Sequence, residues 1–467
     1  MIAEPITIQL PSGRTITLNE QQCEALQIMK EWVDSRKEQF FTLSGYAGTG
    51  KTTIVKELLR YFRSKYEYSS ISVSAPTHKA RKVIQRATGE TSHTIQKLLG
   101  LRPNTDLDDF DINNPQFDEK AQKLIKGCAL LIIDEASMLN SDLFDMLIKE
   151  ASSCRTKVLF MGDEAQLPPV KESISKIFTN VPSKVQLTKV ERQAGSNPLM
   201  GVYDLIRSDI KTPVDLFSHQ DATNAEGEGI TFHNCRKVFE GDVLPLFKSD
   251  NYKADPDFVK LITYTNASVA AWNGLIRREI HNSPTSPIIP GDVLFAYNTC
   301  SLERDTPLIE NSSDYVVEKV EEDISEFMVD IYRAQLRSVD ENKITFVDIV
   351  RASGIAAFIE SFNYKWRAAV NGKGFRRKFL WKEYFNFKNQ HLLLADILDY
   401  QGKLLVKKDI DYGYAITIHK SQGSTFRHVA ISENDIDRNP NNEERNKLKY
   451  VALSRCSHSA IVFTNKK

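Results

Sequence analysis

The sequence predicts an α/β fold, and three stretches carry the prediction. Phe40-Phe-Thr-Leu-Ser44 is a short apolar run that leads into Gly45-Tyr-Ala-Gly-Thr-Gly-Lys-Thr52 and then into Thr53–Phe62, whose apolar residues recur at helical spacing. Ala129-Leu-Leu-Ile-Ile133 and Lys157-Val-Leu-Phe-Met161 are two more apolar runs of strand length. Unbroken apolar strands of this kind are covered on both faces, as in α/β sheets.

Before the glycine loop, Leu18–Leu26 opens a helix expected to continue to about Arg36. Gln22 on it could pair with both the acceptor and donor edges of adenine, or simply be solvated. The loop itself fits G-x-x-x-x-G-K-[ST] at every fixed position. Its glycines free consecutive amides to point at phosphate oxygens, and the following helix adds its positive dipole end. Gly45, Ala47, Gly48, Thr49, Gly50, Lys51, Thr52 and Thr53 are therefore the candidate nucleotide cradle. Lys51 is suited to the β- and γ-phosphates and Thr52 to Mg²⁺. Such a chain is expected to hydrolyse a nucleoside triphosphate.

Ser70–Ala80 reads as an alternating strand, a polar turn at Pro76, Thr77 and His78, and a new helix that starts with Lys79, Arg81 and Lys82. Those residues either grip a nucleic-acid backbone at a strand end or form a solvated first turn. Residues 99–118 are acidic and rich in turn formers, the signature of a protruding hairpin. Asp134 and Glu135 end the next strand, where one acid can hold Mg²⁺ through water and the other can orient the attacking water. Gly162, Asp163 and Gln166 end the third strand, with Gln166 placed to sense the γ-phosphate. Arg192 follows, a guanidinium suited to charge on a transferring phosphoryl group.

Leu261–Asn266 and the helix after it, carrying Trp272, Asn273 and Arg277, open a second strand–loop–helix unit without a phosphate loop. From Pro290 onward the pattern changes to short alternating strands. Within that region Tyr364–His391 interleaves basic residues with Tyr364, Trp366, Phe375, Phe379, Trp381, Tyr384, Phe385 and Phe387. These aromatics either stack on bases or form a small core. Tyr412–Gly423 returns to a strand and turn, and Lys447–Arg455 to a helix.

At 467 residues the chain is expected to hold several domains, and its hydrophobic and charged contents, 41% and 26%, are those of a globular protein. Lys plus Arg equals Asp plus Glu at 61 each, which disfavours a strongly basic binder while leaving room for a local basic groove. Six scattered cysteines make no C-x-x-C pair and read as reduced thiols. The start of the sequence has no signal-peptide pattern and no run has membrane-span length, so a cytoplasmic location is expected.

In series, Gln22, the glycine loop, Ala75-Pro-Thr-His78, Asp134-Glu135, Gly162-Asp-x-x-Gln166, Leu187-x-x-x-x-Arg-Gln193, Thr417-Ile-His-Lys-Ser-Gln-Gly423 and Tyr450-Val-Ala-Leu-Ser-Arg455 resemble superfamily 1 DNA helicases. The branch is the 5′-to-3′ one of RecD-like and phage Dda-like enzymes. The resemblance implies two RecA-like P-loop NTPase lobes, the first over 1–95 and 121–190, the second over 191–289 and 411–467. It implies a hairpin (pin) insertion at 96–120 and an SH3-like β-barrel at 290–410 with a helical projection near 362–391. ATP and Mg²⁺ would lie between the lobes, with Lys51, Asp134, Glu135, Gln166, Arg192 and Arg455 catalytic, Thr52 and Asp134 on the metal, and Gln422 and Gly423 facing the nucleotide. Single-stranded DNA would contact Pro76, Thr77, His78, His93, Asn266, Thr417, His419, Lys420 and Ser421. One departure stands at Ser92-His-Thr-Ile-Gln96, where Gln96 replaces the family's histidine. Phe110 or Phe117 on the hairpin could stack on the last base pair. The implied activity is ATP-driven 5′-to-3′ translocation and unwinding by a monomer at single-strand/duplex junctions, in replication, repair or recombination, with single-strand-binding, replication or repair proteins as candidate partners. A translocase without efficient unwinding and an ATP-switched DNA-remodelling module are the alternatives.

Overall fold

Successive residues of a strand point to opposite faces, and the strand Leu130–Ile133 uses all four of its residues for packing. Leu130 and Ile132 enter a core with Leu26, Met29, Trp32, Leu58 and Phe62, while Leu131 and Ile133 enter one with Phe144, Leu147, Phe160 and Ile177. Helices thus cover both faces of the first sheet. The computed structural model describes residues 6–9, 15–67, 69–103, 117–119, 123–169, 172–190, 197–211, 218–302 and 307–466. Its first sheet runs Lys184–Leu187, Phe40–Gly45, Lys157–Gly162, Leu130–Ile133, Ile71–Ser74, Thr91–Ser92, all parallel. The strand before the glycine loop is therefore interior, next to the edge strand Lys184–Leu187, and the strands ending in Asp134 and Asp163 lie on its other side.

A second sheet runs Ala222–Thr223, Gly229–His233, Cys456–Phe463, Phe426–Ser432, Val259–Thr263, Ala415–Thr417, parallel except for its first pair. Between Val259–Thr263 and Ala415–Thr417 the chain departs to build a third, mainly antiparallel sheet. Its order is His391–Leu392, Ile344–Val350, Asp330–Ser338, Asp314–Ile324, Val293–Ala296, Ile410–Tyr412. This sheet curls until its edges meet, the Leu393 carbonyl accepting from the Asp409 and Ile410 amides at 2.8 and 3.2 Å. Closing the edges in this way removes unpaired backbone groups.

The helices Ile355–Asn371 and Gly374–Gln390 project from this third unit and pack on each other. Gly372 at their junction has no room for a side chain, since an added Cβ would stand 3.0 Å from the Arg377 Cα. Trp381, Tyr384 and Phe387 are buried with Phe358 and Phe362. Tyr364 and Phe379 stay exposed at 73% and 60%. The core reading thus accounts for the former and leaves the latter free for a ligand.

The segment expected as a hairpin from residue 96 begins as a helix. Ile95–Leu99 buries Ile95, Leu98 and Leu99 in the first lobe and ends at Gly100, whose φ of 68° suits glycine. Leu101–Pro103 then pairs antiparallel with Phe117–Glu119. Phe110 and the rest of the hairpin tip lie outside the described residues, as does Arg192. The six cysteines are all free. Among the described residues no helix is long and apolar enough to cross a membrane.

Candidate nucleotide site and DNA-facing surface

The helix Glu20–Asp34 begins with a capping box, in which the Asn19 side chain accepts from the Gln22 amide and the Gln22 side chain accepts from the Asn19 amide. The second end of the Gln22 side chain donates to the Thr49 carbonyl at 3.0 Å. Gln22 therefore ties the helix start to the glycine loop. Gly48 and Gly50 take φ of 83° and 86°, and a Cβ on Gly50 would stand 2.5 Å from the Gln22 amide nitrogen. Glycine at 50 is required both by conformation and by space. Lys51 opens the helix Lys51–Lys65 and donates to the Gly45 and Tyr46 carbonyls at 2.5 and 3.0 Å. In this state it rests on the loop it would leave for a phosphate.

Asp134 and Glu135 follow the strand Leu130–Ile133. The Glu135 amide donates to the Asp134 carboxylate at 2.9 Å, and Glu135 holds φ of 49°. Left-handed backbone at a non-glycine residue costs on the order of 1 kcal/mol and gathers at functional sites. Desolvation, and then the neighbouring Glu135 charge, push the Asp134 pKa up to about 6. Gln166 is buried, and its Oε1 has no hydrogen-bond partner among the described residues.

These groups line one cavity of about 670 Å³. Gln22, Ala47, Gly48, Thr49, Gly50, Lys51, Thr52, Thr53, Asp134, Glu135 and Gln166 form its first-lobe side, with Thr15, Ile16 and Thr17 at one end. Gly423, Ser424, Thr425, Ser454 and Arg455 form the facing side from the second lobe. Arg455 is buried there, held by the Val451 carbonyl, the Ser454 hydroxyl and the Ser424 carbonyl. Gly45 sits behind the loop, where a Cβ would meet Leu187, and Gln422 is buried beside the cavity rather than in its lining.

The residues expected on DNA divide into groups. Thr77 and Thr417 cap the helices that follow them, accepting from the Ala80 and Lys420 amides at 3.2 and 3.3 Å. Pro76, His93 and His419 are half-buried. Burial lowers the His419 and Lys420 pKa values, and Lys420 also donates to Asn311 at 3.2 Å. Asn266 is exposed at the start of its helix. Asp435 fixes the turn before it by accepting from the Tyr264 and Thr265 amides at 2.9 and 2.7 Å. Ser421 corrects the expectation. It is fully buried and donates to the Ile418 carbonyl at 2.8 Å, which leaves it no surface for DNA.

The basic start of the helix His78–Thr88 is a seam between units rather than a free grip. Lys79 is buried, with Asp257 at 3.0 Å and Asp314 at 3.8 Å. Burial opposes its charge, but Asp257, Asp314 and Asp340 outweigh burial and hold its pKa above the usual lysine value. Lys82 pairs with Glu310 and with Glu341 at 3.2 Å, Arg81 lies 3.5 Å from Glu310, and His78 Nδ1 lies 3.3 Å from it. Burial would raise the Glu310 pKa, yet His78 and Lys82 hold it down at about 2.

Comparison with known proteins accords with this layout. Residues 17–225 match the model of an AAA domain and residues 412–463 that of a UvrD-like helicase C-terminal domain. The ATP-dependent DNA helicase dda of Enterobacteria phage T4 is 27% identical over 59% of this chain. Over these regions the chain is similar to superfamily 1 DNA helicases. The match spans 60% of the length of Dda. An uncharacterized protein, R530 of Acanthamoeba polyphaga mimivirus, is 26% identical over 94% of this chain and 98% of its own length. A Bacteroides Pif1 helicase in complex with ADP-AlF3 and single-stranded DNA shares the fold at a TM-score of 0.50 and 18% identity, covering 97% of this chain and 94% of that one.

Proposed function

We propose that this chain is an ATP-driven motor that moves 5′ to 3′ along single-stranded DNA and unwinds duplex ahead of it. The carrying observation is the single cleft in which the glycine loop, the acid pair and Gln166 of one lobe face Gly423 and Arg455 of the other. The donor set suits a nucleotide and its cation. Asp134 is an acid whose charge is disfavoured without a counter-ion, and the buried Gln166 carries an oxygen with no partner among the described residues. Thr52 and Asp134 would hold Mg²⁺, which supplies charge neutralisation on phosphate oxygens.

In this reading Lys51 leaves the Gly45 and Tyr46 carbonyls for the β- and γ-phosphates, and Gln22 contacts adenine. Glu135 orients the attacking water, while Gln166, Arg192 and Arg455 meet the γ-phosphate. Because these groups come from two lobes, ATP favours the closed cleft and hydrolysis releases it, which turns ligand contacts into motion. Pro76, Thr77, His78, His93, Asn266, Thr417, His419 and Lys420 would follow the DNA strand, and the hairpin bearing Phe110 and Phe117 would part the duplex. The Bacteroides Pif1 helicase bound to ADP-AlF3 and single-stranded DNA is consistent with such a pairing of ligands.

The test is release of a labelled strand from duplexes with either a 5′ or a 3′ single-stranded tail. Release from the 5′ tail alone is expected. Release from the 3′ tail alone would overturn the direction, and hydrolysis without release from either would leave a translocase.

A further inference from the structure

We propose that Tyr450 and Arg207, both from the second lobe, form a clasp that positions the glycine loop for hydrolysis. The inference rests on the ATPase reading above. Tyr450 lies on the helix Asn442–Ser454 and is fully buried. Its hydroxyl donates to Asp163 Oδ2 at 2.7 Å and accepts from the Ala47 amide at 3.2 Å. A phenol has one proton to donate, and here it goes to the end of one first-lobe strand while the oxygen receives an amide of the loop after another. The second oxygen of Asp163 accepts from the Ala165 amide at 2.9 Å, so the carboxylate is held on both sides.

Arg207, on the helix Leu199–Lys211, adds a second point of grip. Its guanidinium lies 4.3 Å from the centre of the Tyr46 ring and 6.0 Å from that of Tyr450. A guanidinium over an aromatic face is attracted to it, most strongly where water is excluded. Two adjacent loop residues, Tyr46 and Ala47, are thus held from the opposite lobe. Burial, and then the Asp163 charge, keep Tyr450 protonated and therefore a donor. Both residues act through the loop and are positioning residues. Through them the placement of the second lobe is felt at the phosphate site, which is a physical route for DNA to govern hydrolysis.

The experiment compares wild type with Tyr450→Phe, which keeps the ring and deletes the hydroxyl. Two readouts are taken: amide hydrogen exchange of a peptide spanning 40–50, and ATP hydrolysis with single-stranded DNA. Loss of a buried hydrogen bond predicts about ten-fold faster exchange in the loop and about a ten-fold lower kcat, with KM for ATP changed by less than about two-fold. Tyr450→Phe combined with Asp163→Asn should cost less than the sum of the two. Arg207→Lys keeps the charge without the planar stack and should lower kcat in the same direction by less. Unchanged loop exchange, or a change in KM alone, would overturn the clasp while wild-type hydrolysis stands. Absence of hydrolysis in wild type would overturn the ATPase reading itself, and the exchange readout would still decide whether the clasp holds the loop.

Discussion

At the nucleotide cleft Asp134 and Glu135 stand side by side while Lys51 is turned to the loop's own carbonyls. Along the helix His78–Thr88, by contrast, Lys79, Arg81 and Lys82 each face a carboxylate from another unit of the fold. Both regions lie where the units of the chain meet, and both are charged. They differ in how far the charge is answered. Asp134 is left with its pKa pushed up to about 6, whereas Glu310 is held down at about 2 by the cations around it. A group whose charge is unanswered inside a cleft is waiting for a ligand, and a group whose charge is fully answered is holding the structure together. The same residue types, lysine beside acid, serve opposite ends.

Breaking the answered seam should have the larger effect on stability. Lys79→Ala leaves Asp257 and Asp314 without their shared cation. Removing one partner of a buried pair costs about 3–5 kcal/mol, and the lower end applies because Lys260 still pairs with Asp314 at 3.0 Å. A denaturant titration should show the earlier unfolding midpoint, and an unchanged midpoint would mean that the seam is only a surface contact.

The unanswered cleft predicts the reverse sign. The Asp134 pKa rises from the usual 3.8 to about 6, so folding favours its protonated form. That stabilisation is complete below the unfolded value and is lost as pH rises through about 6. At about pH 8 the ligand-free protein therefore carries a disfavoured carboxylate. Asp134→Asn should then stabilise it by no more than about 3 kcal/mol, while removing hydrolysis. In the unaltered protein, hydrolysis should decline as pH falls below about 6, when the carboxyl no longer offers a charge to the cation. Destabilisation by Asp134→Asn at about pH 8 would contradict this assignment.

Much of this was legible in the sequence because it is local. The glycine loop, the acid pair and the apolar strands before them carry their chemistry in consecutive residues, and the first sheet is built from them. The capping box is equally local, in Asn19-x-x-Gln22, but a Gln there fits an adenine contact as well as a cap. The seam was not readable. Lys79 and Lys82 look like a solvated or DNA-gripping turn, and their partners Asp257, Glu310 and Asp314 are far along the chain with nothing local to announce the pairing. Tyr450 was hidden differently, inside a motif whose expected contribution was Arg455. Ser421 sits beside the polar His419 and Lys420, which suggests a surface, but the short helix Ile418–Ser421 turns it inward. The aromatics of 364–387 divided by helical position, which composition alone does not resolve.

The most direct test of the account is the rate of ATP hydrolysis by the full chain, measured with and without single-stranded DNA, with Lys51→Ala alongside. The account predicts hydrolysis strongly accelerated by DNA and abolished by Lys51→Ala. A rate indifferent to DNA would contradict the motor and leave only an ATP-controlled switch.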